Sequence, residues 1–327
     1  MGVQVICGKG SVLEIGAGYG RLAEAAVRVL ASATVEEFER TYGKVPGGEL
    51  VIVALGRLGG GVLTYASDLD LIYLFTGDFA TESDGAKSLG ATQYFNRLAQ
   101  RIGASLSVPT ASGPLYEVDT RLRPFGTQGL LAASVDSFER YQRENAWTWE
   151  HLALTRARPI FGSDAACFAL HGVIDDVLTM ERDEAKLIRD AVKMRRDLAK
   201  HKPPAGPLDV KLAEGGLVDL EFLVQVTQLR RHMGLHPDLG ASIRELTGEG
   251  VFAPELAAAH DLLTRYLIVS RLVSPTSTEP PEAARALVAR RCGERNWNDL
   301  LVRLEKARQC VAQAWGDIVA TVPTEEE

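Results

Sequence analysis

Apolar residues change their period part-way along this chain. Up to about residue 160 they gather in short continuous runs, "ELVIVAL" at 49–55 and "LDLIYLF" at 69–75. Runs of that kind mark strands buried on both faces, and these two are expected to be neighbours. A third run, "LYEVDTRL" at 115–122, alternates instead, as a strand with one buried face does. Residues 19–31, 35–42 and 89–106 have helical period, the last with Phe95, Leu98, Ala99, Ile102 and Leu106 on one face, and Pro109 and "SGP" at 112–114 end it. Beyond residue 160 the period is helical almost throughout, over 186–199, 215–233, 254–273 and 298–319. Loops are expected at 201–207 and 274–282, with a frayed acidic end, "PTEEE". The pattern predicts an α+β protein: an unassigned lead-in at 1–18, a sheet-containing domain at 19–162 and an all-α helical bundle at 163–327.

Composition narrows the function classes. The chain has 327 residues, a net charge of -7 and 46% hydrophobic residues, the make-up of an ordinary globular protein. An acidic balance gives no general footprint for nucleic acid. Cys7, Cys167, Cys292 and Cys310 are too scattered for a metal knuckle and too few for a disulfide framework, so they read as reduced thiols. No run approaches the roughly 18–20 apolar residues of a membrane span, and no secretory signal opens the chain. The expectation is a cytoplasmic protein with no membrane partner.

The stretch "VLEIGAGYGRLAEAA" at 12–26 admits a reading as strand, glycine turn and helix, the opening of an S-adenosylmethionine-dependent methyltransferase. Such a fold needs an acid-ended second strand about 20 residues later. "TVEEFERTYGK" stands there with helical period, which argues against it.

The chemistry gathers at "TYASDLDLIYLF". Alternate residues of a strand share a face, so Asp68 and Asp70 lie on one side about 7 Å apart, while Leu69, Leu71, Tyr73 and Phe75 enter the core. Two carboxylates at a buried strand need cations, and Mg²⁺ suits them as a hard ion shared between carboxylates and substrate phosphates. Gly59, Gly60 and Gly61 precede the acids and would let backbone amides approach a polyphosphate. In "LYEVDTRLRP", Glu117, Asp119, Arg121 and Arg123 share a face, and spacing leaves Glu117 and Asp119 both open as the third acid. "WTWEH" at 147–151, with Trp147, Trp149, Glu150 and His151, reads as packing rather than catalysis. No histidine has a ligand-like partner, so zinc is not expected.

In order, "ALGRLGG…TYASDLDLIYLF", "YEVDTRLRPFGTQGLL", "YQRENAWTWEHLALTRARPIFG" and "DVKLAEGGLVDLEFLVQ" resemble glutamine synthetase adenylyltransferase (glutamate-ammonia-ligase adenylyltransferase), from about residue 19 to the end. That family's enzyme has one half that removes AMP from glutamine synthetase by phosphorolysis and one that attaches it. "YEVD" and "ENAWTWEHLAL" are more similar to the attaching half, and the chain reads as about one half. Gly61 and Val62 stand where the family usually has Arg-Glu.

The resemblance implies a nucleotidyltransferase core like that of DNA polymerase beta, with a mixed sheet, followed by the bundle. It implies that Asp68, Asp70 and Asp119 hold two Mg²⁺ ions and that ATP is the AMP donor, with Asp119 as base. Gly59, Gly60, Ser67, Arg57, Arg121, Arg123 and Lys211 would contact the phosphates. Asp219 and Glu221 stand two positions apart on a helix and so cannot both face one metal, and one of them is expected to anchor the helical domain to the core. Glutamine synthetase is the implied protein substrate, with a PII-type signalling protein and glutamine as regulators of the full-length enzyme. The rival readings are AMP removal on the same fold, the methyltransferase, and an inactive binding module.

Overall fold

The computed structural model describes residues 1–111, 113–274 and 279–321. The "PTEEE" end, residues 275–278 of the loop expected at 274–282, and Ser112 lie outside them. The protein is α+β, with a small mixed sheet and many helices. The residues form two compact units, one of 20–61 and 67–180, the other of 1–19, 62–66 and 181–327.

The first unit holds the sheet, built among the described residues from β1 (Leu50–Ala54), β2 (Leu69–Phe75), β3 (Val118–Asp119), β4 (Ala132–Ser134) and β5 (Arg158–Phe161). The two apolar runs pair antiparallel, from Leu50 opposite Phe75 to Ala54 opposite Leu71. β5 flanks β1 antiparallel, with a register shift between Ile52 and Val53. On its other edge β2 receives two short parallel strands, β3 at its start and β4 at its end. Every β1 residue is buried, and so is β2 except at Asp70. Helix Ala91–Ser107 covers the sheet with the face read from sequence, stacking Phe95 on Phe75 with ring centroids 4.6 Å apart. Each large side chain so buried contributes on the order of 2 kcal/mol.

The second unit is helical. Helices Glu184–His201, Leu217–Arg231, Pro254–Val273 and Trp297–Val319 match the helical periods, and Leu239–Gly248 and Glu282–Arg291 were not anticipated. Its core joins Leu220, Leu263, Tyr266, Leu304 and Val311 to Val5, Val12 and Ile15, so residues 1–18 are part of the helical unit's core rather than a lead-in.

Three sequence expectations are corrected. Residues 12–26 contain neither strand nor turn, because Val12–Tyr42 is one helix, which removes the methyltransferase reading. Its glycines serve packing: a Cβ on Gly16 would lie 2.7 Å from Ile268, and one on Gly20 2.4 Å from the Gly61 carbonyl. The third strand shrinks to Val118–Asp119, because the chain turns at Arg121. The division expected at 162/163 falls at 180/181, since helix Asp164–Leu178 packs on β5 and on helix Val135–Glu144. Among the described residues no helix is long and apolar enough to cross a membrane.

Candidate active site

The mouth of β2 is assembled by backbone before any side chain acts. The chain leaves β1 at Leu55, whose N–H donates to the Asp70 carbonyl at 3.0 Å, and turns at once into the short helical turn Gly56–Gly59. Gly56 has φ +52°, and a Cβ there would sit 2.2 Å from Asp70 Oδ2. Only glycine combines that backbone with a carboxylate pressed against it. On the other side Leu69 N–H donates to the Glu117 carbonyl at 2.9 Å, which sets Asp70 opposite Asp119 in parallel register.

Register partners on adjacent strands are about 5 Å apart and point to the same face. Of the two acids left open by spacing, Asp119 is therefore the one beside Asp70, while Glu117 is exposed. Asp68 is exposed, one residue outside the strand.

Arg121 folds back over Asp119. Its backbone N–H donates to Oδ1 at 2.9 Å, its Nε lies 3.0 and 2.8 Å from the two oxygens, and Nη2 closes the pair. These bonds and the Asp119 charge push the guanidinium further up from its ordinary value, with smaller contributions from Asp70 and Asp68. One cation thus senses all three acids, as spreading charge over a carboxylate cluster requires. Among the described residues no three acid, histidine or cysteine side chains converge closely enough to hold a metal as they stand. The Asp70–Asp119 pair nonetheless supplies hard oxygen donors of the kind Mg²⁺ takes.

The other expected site residues divide. Arg57 and Ser67 are half-exposed, Arg57 on the turn next to Gly56. Gly59 and Gly60 are buried, and their amides donate to Leu55 and Gly56 carbonyls at 2.8 and 3.1 Å. Gly59 turns its bare face to the Arg156 carbonyl, so these two glycines pack the turn rather than offering amides to a phosphate. Arg123 also departs from expectation, because its guanidinium donates to backbone oxygens of Thr120, Thr127 and Gly129. Lys211 belongs to the helical unit, not the unit that holds the acids, and its N–H donates to the Asp209 carboxylate at 3.2 Å. Asp219 anchors within that same unit rather than to the core: it is buried, pairs with Arg195 and accepts the Gly215 N–H at 2.6 Å. Glu221 is half-exposed on the same helix.

"WTWEH" is packing in part. Glu150 is buried and accepts from Trp147 N–H at 2.9 Å and from the Tyr141 hydroxyl at 3.1 Å, capping its helix. His151 Nε2 meets the Gln142 carbonyl at 2.8 Å, and Trp149 is half-buried. Trp147 departs from the packing expectation, since it is 71% exposed.

Two residues that organise the site escaped the sequence reading. Gly56 had a signal, a glycine directly after an all-apolar strand. Asn96 had none: it sits inside a regular helix, yet its amide bridges Leu131 N–H and both polar groups of the Ala132 backbone.

Residues 1–171 match the family model for glutamate-ammonia ligase adenylyltransferase, and 184–319 match that for GlnD PII-uridylyltransferase. The first match starts at residue 1, so it takes in the stretch set aside as a lead-in. The curated bifunctional glutamine synthetase adenylyltransferase/adenylyl-removing enzyme of Brucella suis biovar 1 (strain 1330) is 40% identical over 303 residues, covering 90% of this chain and 31% of the relative. The enzyme of the same name from Rhizobium meliloti (strain 1021) is 38% identical over 329 residues, covering 96% and 33%. The chain thus spans about a third of the length of these relatives. With more than half its residues matched by one family model, the chain belongs to the glutamate-ammonia ligase adenylyltransferase family.

Proposed function

We propose that this chain transfers AMP from ATP to a tyrosine hydroxyl of glutamine synthetase in a Mg²⁺-dependent reaction, regulating nitrogen assimilation in the cytoplasm. The observation that carries the reading is the in-register pair Asp70 and Asp119, with Gly56 against one carboxylate and Arg121 on the other. Family membership and the name of the relatives support the reaction and its acceptor. On this reading the core has the nucleotidyltransferase fold typified by DNA polymerase beta. The four cysteines, all free thiols, suit a reducing compartment.

Asp68, Asp70 and Asp119 would hold two Mg²⁺ ions, whose charge stabilises the triphosphate and lowers the barrier at the α-phosphorus. The acceptor oxygen attacks that phosphorus in line, its bond to the bridging oxygen breaks, and pyrophosphate leaves. A phenol of pKa about 10 keeps its proton near neutral pH, so a carboxylate must take it, and Asp119 is assigned that role. Arg121 holds Asp119 beforehand; transfer of its guanidinium to the triphosphate as ATP binds neutralises that charge and frees the Asp119 oxygens for the metal and the proton. Arg57 and Ser67 complete the phosphate contacts. Regulation of the full-length enzyme by a PII-type protein and glutamine rests on the family resemblance alone.

The relatives' name also includes adenylyl removal, which keeps phosphorolysis on the same site as the second reading. Incubation with glutamine synthetase, Mg²⁺ and ATP labelled in its α-phosphate separates them. Label on the synthetase supports attachment, and release of ADP from adenylylated synthetase with phosphate supports removal. Asp70→Asn is expected to abolish the activity found. Inactivity of the wild-type chain in both directions would leave a binding module and overturn the proposal.

A further inference from the structure

Alternation in "VDTRLR" places Arg123 on one face with Asp119 and Arg121, as a third charge aimed at substrate. The chain, however, leaves β3 after Asp119, and Arg123 becomes the centre of the loop that follows. Its Nη1 donates to the Thr120 carbonyl at 2.9 Å and to Thr120 Oγ1 at 3.1 Å. Its Nη2 donates to the Thr127 carbonyl and its Nε to the Gly129 carbonyl, each at 3.3 Å. Arg123 N–H returns to the Thr120 carbonyl at 3.3 Å, and the Arg123 carbonyl accepts from Gly126 N–H at 2.8 Å.

A planar guanidinium with five donors in a fixed fork can span acceptors that are nine residues apart in sequence, whereas an ammonium offers its donors from one point. Glycine is required where the loop closes, because a Cβ on Gly129 would lie 2.0 Å from the Pro124 carbonyl. Phe125 takes the left-handed φ of 60° at the tip, a strained conformation that persists only where its surroundings impose it. The far end is tied by Asn96, whose Oδ1 accepts Leu131 N–H at 2.8 Å and Ala132 N–H at 3.2 Å.

We propose that Arg123 is a positioning residue: by gripping Thr120, the residue between Asp119 and Arg121, it fixes the carboxylate beside Asp70 and folds Arg121 back over it. This rests on the functional reading above and replaces a phosphate contact by a clamp. Misplacing a reacting group by about 1 Å costs on the order of a hundredfold in rate, so the clamp acts on turnover rather than on ATP affinity.

The test compares Arg123→Lys, Arg123→Gln and the milder Thr120→Val, which removes a single acceptor, with wild type. Steady-state kinetics are measured with ATP varied, and amide hydrogen exchange is measured without nucleotide. Both Arg123 variants are expected to lose about thirtyfold or more in kcat, with KM for ATP within about twofold. Amides of residues 120–131 should exchange about tenfold faster or more, and Thr120→Val should move both readouts the same way by about threefold. Near-wild-type turnover of Arg123→Lys, a loss confined to KM for ATP in Arg123→Gln and rescued by lysine, or unchanged exchange in all three variants would each overturn the proposal. Exchange in Thr120→Val keeps the test decisive if the Arg123 variants do not fold. Inactivity of the wild-type chain sinks the functional reading instead, and the exchange comparison still decides the clamp.

Discussion

Asp70 owes its place to a residue that has no side chain. Gly56→Ala adds a carbon 2.2 Å from Asp70 Oδ2 at a φ of +52°. It is expected to cost about 1–3 kcal/mol in stability and, by moving the carboxylate, about a hundredfold or more in the proposed AMP transfer. Urea unfolding and the labelled-ATP assay check the two effects, and an active, stable Gly56→Ala protein would contradict them. Glu150 permits a different measurement. Burial pushes its carboxyl up from the usual 4.5, against the lowering by the Trp147 amide and the Tyr141 hydroxyl. A raised folded pKa makes the stabilising contribution complete below 4.5, and it is lost as pH rises through the folded value. Melting temperature of wild type relative to Glu150→Gln should therefore fall from pH 4 toward pH 7, and parallel curves would refute the assignment. The acids themselves were legible because charge interrupting an apolar run is a local signal. Gly59 misled, because its buried packing depends on Arg156, far away in sequence.

At the scale of elements, the helix Val12–Tyr42 shows why a glycine pattern does not by itself define a turn. Gly16 and Gly20 lie in the interior of that helix and give room to what packs on them. Gly20→Ala would place a Cβ 2.4 Å from the Gly61 carbonyl, a backbone atom with little freedom, and is expected to destabilise by about 1–3 kcal/mol. Gly16→Ala meets the flexible end of Ile268, and the roughly 1 kcal/mol gain in helix propensity offsets much of that contact. Chemical denaturation of the two variants should rank Gly20→Ala as clearly the less stable, and equal midpoints would count against this account. β1, β2 and helix Ala91–Ser107 were readable because their periods are continuous and strong. β3 was overread, since alternation of side chains continues past Asp119, where the chain leaves the strand and turns at Arg121.

For the molecule as a whole, the buried pair Arg195–Asp219 ties residues 212–215 to helix Glu184–His201, inside the helical unit. Asp219→Ala leaves a guanidinium enclosed without its partner and is expected to cost about 3 kcal/mol or more. Breaking the more exposed Arg303–Glu294 pair with Arg303→Ala should cost less than about 1 kcal/mol. Similar shifts in the urea midpoint for both would refute the distinction. The boundary between the units was not legible, because helical period shows that helix Asp164–Leu178 has an apolar face but not which body covers it. By itself the sequence determined the apolar strands, the long amphipathic helices, the acidic mouth of β2 and the family, since each is written in neighbouring residues. Only the tertiary structure decided that Asp119 rather than Glu117 stands beside Asp70, that Gly56 lies against Asp70 while Gly59 packs on the Arg156 carbonyl, and that Arg123 grips backbone. Those outcomes depend on strand register and loop closure, which join residues far apart in the chain and leave no period to read.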